Sequence, residues 1–89
     1  MKNNDDIPRI LIVDDTPANL SLLVDALQGA GYRPLVATSG ERALQLLAQS
    51  PLPALVLLDM RMPGLDGLAV CARLQAHPRW REIPVIFMT

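Results

Sequence analysis

The sequence predicts an α/β fold in which helices cover a doubly wound parallel β-sheet. Strand and helix signals alternate along the 89 residues, with turn residues at the joints. Three short apolar runs also end on oxygen-bearing side chains, at the pair Asp14 and Asp15, at Asp59 and at Thr89. Ligands of open α/β sheets bind beyond the carboxyl ends of the strands. If the runs are neighbouring parallel strands, these four residues therefore meet at one candidate site.

The composition indicates one small domain with an aliphatic core. Hydrophobic residues make up 51% of the chain and aromatic residues only 3%. The net charge is −1 and there is no basic stripe, so nucleic-acid binding has no electrostatic support. No apolar stretch approaches the ~20 residues that a membrane helix needs. The single cysteine, Cys71, fits a reducing compartment, and we expect a cytoplasmic protein.

The first strand and helix are strongly indicated. Residues 10–13 form a continuous apolar run, typical of a strand buried on both faces. Thr16 is expected to cap the following helix, and Pro17 suits its first position. Gly29 and Gly31 should end that helix in turn or left-handed conformations. One apolar stripe recurs at helical spacing, at Leu20, Leu23, Val24 and Leu27.

Three further strands follow, at residues 34–37, 54–58 and 83–88. A second helix is expected to run to Gln49, with Thr38 or Ser39 as its cap. The third helix should present an inward face formed by Leu68, Cys71 and Leu74. His77 lies in a connector before Pro78 and is expected to be a solvated loop residue. Residues 1–8 are expected to form a flexible leader, and residues 9–89 a single domain.

The acidic residues suggest a metal site. Two carboxylates ~4 Å apart repel each other by ~4 kcal/mol at an effective dielectric constant of ~20. A third carboxylate increases this repulsion, and a hard, oxygen-only ligand set suits Mg²⁺. Alternatively, Asp14 and Asp15 are ordinary acids at a helix start, stabilised by the helix dipole. Asp59 closes a fully apolar strand, so burial should require a partner or a chemical role for its carboxylate.

Three segments together resemble a known family. They are ILIVDD at residues 10–15, LLDMRMPGLDG at residues 57–67 and VIFMT at residues 85–89. From about residue 9 onwards, the chain resembles the receiver domain of two-component response regulators. The resemblance implies a flavodoxin-like sheet and a signalling module that catalyses only its own phosphorylation and dephosphorylation.

The resemblance also implies a role for each site residue. Asp59 would accept a phosphoryl group from a histidine kinase or phosphotransfer protein, with Mg²⁺ present. Asp15 would bind the metal directly, Asp14 through water, and Arg61 through its backbone carbonyl. Asp59 would be a further metal ligand. Thr89 would be the switch hydroxyl that moves toward the phosphoryl group.

The resembled domain normally has five βα units. This chain is expected to contain only β1-α1-β2-α2-β3-α3-β4, without the fourth helix, the fifth strand, the fifth helix and the lysine that the fifth strand carries. One sheet face and the edge of the fourth strand would then be exposed, which favours self-association.

Other functions remain as alternatives. A receiver-like module that is never phosphorylated could serve protein interaction or dimerisation. A phosphatase with an aspartyl nucleophile needs an acid two residues later, where this chain has Thr16 and Arg61. A dinucleotide-binding enzyme is disfavoured because no G-x-G-x-x-G follows the first strand.

Overall fold

The computed structural model describes residues 7–49 and 51–88. These residues form one sheet of four parallel strands in the order β2-β1-β3-β4, with three helices. The elements are β1 (Arg9–Val13), α1 (Pro17–Gly29), β2 (Arg33–Ala37), α2 (Gly40–Gln49), β3 (Leu55–Asp59), α3 (Gly67–Ala76) and β4 (Val85–Met88). The predicted flavodoxin-like, doubly wound architecture is confirmed. No helix within the described ranges is both long and apolar enough to span a bilayer.

Strand β1 is the centre of the domain because it pairs with β2 on one side and β3 on the other. Its last four residues are at most 5% exposed, as expected for a strand covered on both faces. Leu11 and Val13 belong to the main core, with Val56 and Leu58 of β3 beside them. Alternation along a strand sends Ile10 and Ile12 to the opposite face.

The two faces of the sheet are covered unequally. Right-handed crossovers and the strand order place α1 on one face and both α2 and α3 on the other. The α2–α3 face holds the main core, which includes Ala43, Leu47, Val70 and Leu74. On the other face, Leu20 is the one buried residue of α1. The rest of the predicted stripe, Leu23, Val24 and Leu27, is half-buried.

Strand β4 lies at the sheet edge and is the least covered strand. Its register pairs Leu57 with Ile86, so Ile86 lies on the α1 face, where it is 53% exposed. Its neighbour Phe87 is 39% exposed on the opposite face. Strand β2 forms the other edge and contains Pro34, and a proline is tolerated in an edge strand because it lacks the N–H that an inner strand would use.

The inward face of α3 differs from the prediction. Leu68 is 60% exposed, while Leu74 is buried as expected and Cys71 is half-buried against the core. Helix α3 instead buries Gly67 and Val70 together with Leu74. Apolar spacing considers only side chains that avoid water, so it did not include Gly67 in the buried face. The predicted face therefore began one residue too late, at Leu68. The prediction for Leu68 was wrong.

The helix ends agree with the prediction only in part. Thr16 occupies the cap position of α1, but its side chain makes no capping hydrogen bond. Gly29 is the last residue of α1, and Gly31 has the positive φ, at 90°. Ser39 does cap α2, because its Oγ accepts the Arg42 backbone N–H at 3.1 Å. The strand bounds differ from the predicted ones by one or two residues.

Two further predictions concern the start of the chain and His77. The Pro8 carbonyl accepts the Arg33 N–H at 2.9 Å, so the chain is hydrogen-bonded to β2 one residue before β1. Residues 1–6 of the predicted leader lie outside the described residues. His77 is half-buried rather than solvated, since its ring stacks on Trp80 at 3.7 Å between centroids.

Candidate functional site

Asp14 is the buried carboxylate of the site. It follows β1 directly and is 3% exposed. Its Oδ1 accepts the Thr16 backbone N–H at 2.9 Å, and its Oδ2 accepts from Asn19 Nδ2 at 3.2 Å. Its own N–H donates to the Ala37 carbonyl at 3.1 Å, which continues the β1–β2 ladder by one residue. Both oxygens of this buried acid are therefore held by donors from the chain.

Asp15 and Asp59 complete an acidic cluster at the carboxyl edge of the sheet. One carboxylate oxygen from each of Asp14, Asp15 and Asp59 lies within 4.8 Å of the others. Asp15 is exposed and Asp59 is half-buried at the end of β3. The deeply buried acid is therefore Asp14, while Asp59 is partly buried and has the hydrogen-bond partner that the sequence led us to expect. The structure does bring together the three predicted carboxylates.

An open cavity of about 340 Å³ adjoins the acidic cluster. Asp14 and Asp59 form its polar wall together with Asn19. Leu22 and Leu23 of α1 and Met88 of β4 form its apolar wall. A small charged group can therefore reach the carboxylates from solvent without displacing any element of the fold.

Arg61 and Thr89 are the other predicted site residues. The Arg61 backbone N–H donates to Asp59 Oδ1 at 3.0 Å, so the Arg61 main chain lies against the Asp59 carboxylate. Whether its carbonyl is a metal ligand is not tested by this geometry, and that role stays a prediction. Thr89 lies outside the described residues, and its role as the switch hydroxyl also stays a prediction.

The loop after β3 is held by close backbone packing at Gly67. The Gly67 N–H donates to the Met60 carbonyl at 3.3 Å. A Cβ on Gly67 would lie 2.8 Å from Met60 Cα and 3.0 Å from the Asp59 carbonyl carbon, with the Asp59 carbonyl oxygen closer still. This glycine therefore allows the start of α3 to pack directly against the main chain that carries Asp59.

Sequence reasoning missed two residues that shape the site. Asp66 caps α3, since its Oδ1 accepts the Ala69 N–H at 2.9 Å. An aspartate directly before an apolar helix is a recognised cap signal, and it could have been found. Asn19 hydrogen-bonds Asp14 from the first turn of α1, and no motif in the sequence marks it.

The donor set fits Mg²⁺. Its members are carboxylate oxygens, with no nitrogen or sulfur ligand among them. Mg²⁺ prefers hard oxygen ligands, keeps several waters and usually binds through one or two carboxylates plus a phosphate. Three clustered acids also gain stability from a divalent ion, because it offsets their mutual repulsion.

Similar proteins were found among curated relatives. The transcriptional regulatory protein BaeR of Escherichia coli is 40% identical over 86 residues, which is 97% of this chain and 34% of BaeR. The response regulator PleD of Caulobacter vibrioides is 44% identical over 81 residues, which is 91% of this chain and 18% of PleD. The chain thus spans at most about a third of either relative.

A solved structure gives the same result for the fold. The N-terminal domain of a response regulator receiver protein from Methanoculleus marisnigri JR1 superposes with a TM-score of 0.87 at 43% identity. The superposition covers 91% of this chain and 65% of that domain.

The sequence model described as "response regulator receiver domain" matches residues 10–89, nearly the whole chain. Phosphorylation and Mg²⁺ binding at an acidic pocket are typical of such domains, which interact with histidine kinases or phosphotransfer proteins and are in general not enzymes. Sheet order, acidic edge and sequence match agree, and the chain belongs to the response regulator receiver domain family.

Proposed function

We propose that this domain accepts a phosphoryl group on Asp59 from a phosphohistidine of a histidine kinase or phosphotransfer protein. Mg²⁺ would be held by Asp14, Asp15 and Asp59, and by the backbone carbonyl of Arg61. The observation that carries the proposal is the convergence of the three carboxylates within 4.8 Å at the carboxyl edge of the sheet. The reducing compartment suggested by a lone cysteine supports a cytoplasmic location.

Among the three acids, Asp59 is the one suited to nucleophilic attack. Asp14 is 3% exposed and both of its oxygens accept hydrogen bonds. Asp59 is half-buried and lines the cavity, and its Oδ1 accepts the Arg61 N–H. That hydrogen bond engages one oxygen of the carboxylate, while Oδ2 has no hydrogen-bond donor among the described residues. A partly exposed carboxylate with one oxygen free of hydrogen bonds can act as a nucleophile in covalent catalysis.

In the proposed transfer, Asp59 Oδ2 attacks phosphorus and the phosphorus–nitrogen bond of the phosphohistidine breaks. The electron pair of that bond remains on the imidazole nitrogen of the donor, and an acyl phosphate forms on Asp59. Mg²⁺ bound at the cluster would supply positive charge that offsets the charge on the phosphoryl oxygens. Asp14 and Asp15 would hold that ion beside the phosphoryl group, and Thr89 would donate its hydroxyl to a phosphoryl oxygen.

The proposal is tested by incubating the protein with Mg²⁺ and a small acyl phosphate donor and measuring the intact mass. We expect a phosphoryl adduct on the wild type and none on Asp59→Asn. Asp66→Asn is the matched control, because it removes a nearby exposed carboxylate and asparagine still caps a helix. An adduct that persists in Asp59→Asn, or that is lost equally in Asp66→Asn, would contradict the assignment.

A second candidate function is interaction through the exposed apolar surface of β4, without phosphorylation. Ile86 and Phe87 are 53% and 39% exposed on an edge strand, and such strands are templates for pairing with another chain. Sedimentation velocity over a dilution series would show a concentration-dependent dimer that Ile86→Lys weakens. A wild-type protein that dimerises in this way and gives no phosphoryl adduct would favour this function.

A further inference from the structure

We infer that Asn19 is a positioning residue of the metal site. Its side-chain amide holds the buried Asp14 carboxylate in the orientation in which the three acids converge. The inference deepens the proposed function and rests on it, since it concerns Mg²⁺ affinity at the same cluster. Asn19 itself is not assigned as a metal ligand.

The hydrogen bond runs from Asn19 Nδ2 to Asp14 Oδ2 at 3.2 Å. A carboxylate only accepts hydrogen bonds, so the nitrogen of the amide must face it. Asn19 is the third residue of α1, and side chains on a helix point back toward its N-terminus. This direction brings an exposed helix residue onto an acid five positions earlier, at the wall of the cavity that both residues line.

Two donors on one carboxylate fix its plane, whereas one donor does not. The Thr16 N–H engages Asp14 Oδ1 at 2.9 Å, and this contact alone leaves rotation about the last side-chain torsion. The Asn19 amide engages the second oxygen and removes that rotation. Each carboxylate oxygen has two lone pairs, so both retain capacity for a metal-bound water.

The chemistry of the amide suits a metal site better than the alternatives. A lysine at this position would place a cation where Mg²⁺ is expected to bind, and the two charges would compete. An aspartate would add a fourth carboxylate and further repulsion. Asparagine donates a hydrogen bond to Asp14 without changing the net charge of the cluster.

A role in capping α1 does not account for the contact. An asparagine at the third helical position could reach back to the N–H of the cap residue, as in a capping box. Here the Thr16 N–H is already bonded to Asp14 Oδ1, and Asn19 Nδ2 has Asp14 as its partner among the described residues. The amide is therefore directed at the acid and not at the helix backbone.

The test is calorimetric titration of Mg²⁺ into the full 89-residue chain and its variants. We expect Asn19→Ala to weaken Mg²⁺ binding about tenfold, the low end for removal of a residue that orients a ligand. Asn19→Gln keeps the amide and should restore part of the affinity. Ser21→Ala, at an exposed position of the same helix away from the cavity, should bind like the wild type.

A second readout uses the wild type alone, so the inference can be tested even if a variant fails to fold. The nuclear magnetic resonance signal of the Asn19 side-chain amide should shift on Mg²⁺ addition, while that of the exposed Gln28 should not. Asn19→Ala binding as tightly as Ser21→Ala, or no shift of the Asn19 amide, would overturn the inference. If the wild-type protein binds no Mg²⁺, the proposed function fails together with the inference. If the wild type binds Mg²⁺ and Asn19→Ala binds it equally well, only the inference fails.

Discussion

Gly67 gives the sharpest test of how the fold positions Asp59. Substitution by alanine adds one methyl group at the buried first residue of α3. That carbon would lie 2.8 Å from Met60 Cα and 3.0 Å from the Asp59 carbonyl carbon. These neighbours are backbone atoms, so no side-chain rotation relieves the overlap. Either α3 or the end of β3 must move.

The cost follows from overpacking. Inserting a methyl group into a well-packed site costs about 1–3 kcal/mol, and contacts with backbone favour the upper part of that range. The usual gain of Gly→Ala in a helix, about 0.5–1 kcal/mol, offsets part of it. We therefore expect Gly67→Ala to lower the free energy of unfolding by about 2 kcal/mol. With an m-value of about 1 kcal/mol/M in urea, the midpoint should fall by about 2 M.

The assay is urea unfolding followed by circular dichroism, with Gly29→Ala as the matched control. Gly29 ends α1 without a positive φ, and a Cβ there meets nothing within 4 Å. Gly29→Ala should leave the midpoint unchanged or raise it by up to about 1 M. If Gly67→Ala is as stable as Gly29→Ala, the close packing of α3 on the Asp59 main chain is refuted. A destabilised Gly67→Ala should also bind Mg²⁺ more weakly, since the shift displaces Asp59.

Three further predictions follow from the same geometry. Asp66→Ala should lower the free energy of unfolding by about 1 kcal/mol in urea titrations, because it removes the cap of α3, while Asp66→Asn should not. Leu74→Ala should cost about 2–5 kcal/mol, because Leu74 is fully buried, and Leu68→Ala less than about 1 kcal/mol; equal losses would contradict the observed face of α3. Mg²⁺ at 100 times its dissociation constant should stabilise the wild type by about 2.7 kcal/mol in thermal unfolding, and Asp15→Asn should reduce that gain at the same Mg²⁺ concentration.

Much of the fold was predictable because local pattern and burial agree. Strand β1 is a continuous apolar run and is buried on both faces, and Gly31 adopts the positive φ expected after α1. Ser39 follows β2 and caps α2, as a serine before a helix should. The convergence of the three acids was predictable on the condition that β1 and β3 are neighbours, because the carboxyl ends of neighbouring parallel strands meet at a common edge.

The parts that were not predictable depend on which backbones touch. Strand order β2-β1-β3-β4 is a property of the whole sheet, and no single segment carries it. The inward face of α3 is set by Gly67, which is buried because two backbones approach there and not because it is apolar. Leu68 therefore faces solvent although its side chain is the more hydrophobic one. Hydrophobic spacing detects side chains that avoid water, and it does not detect a contact made by the lack of a side chain.

Burial is distributed among the three acids in a way that sequence cannot reveal but chemistry explains. Asp14, Asp15 and Asp59 all follow apolar strands, so pattern alone assigns them similar environments. In the structure the acid with two hydrogen-bond donors is buried, whereas the acid with one is half-buried at the cavity. A buried charge is tolerated only when its oxygens are satisfied. The chain can therefore bury Asp14 through Thr16 and Asn19, and Asp59 keeps an oxygen free because it remains partly in solvent.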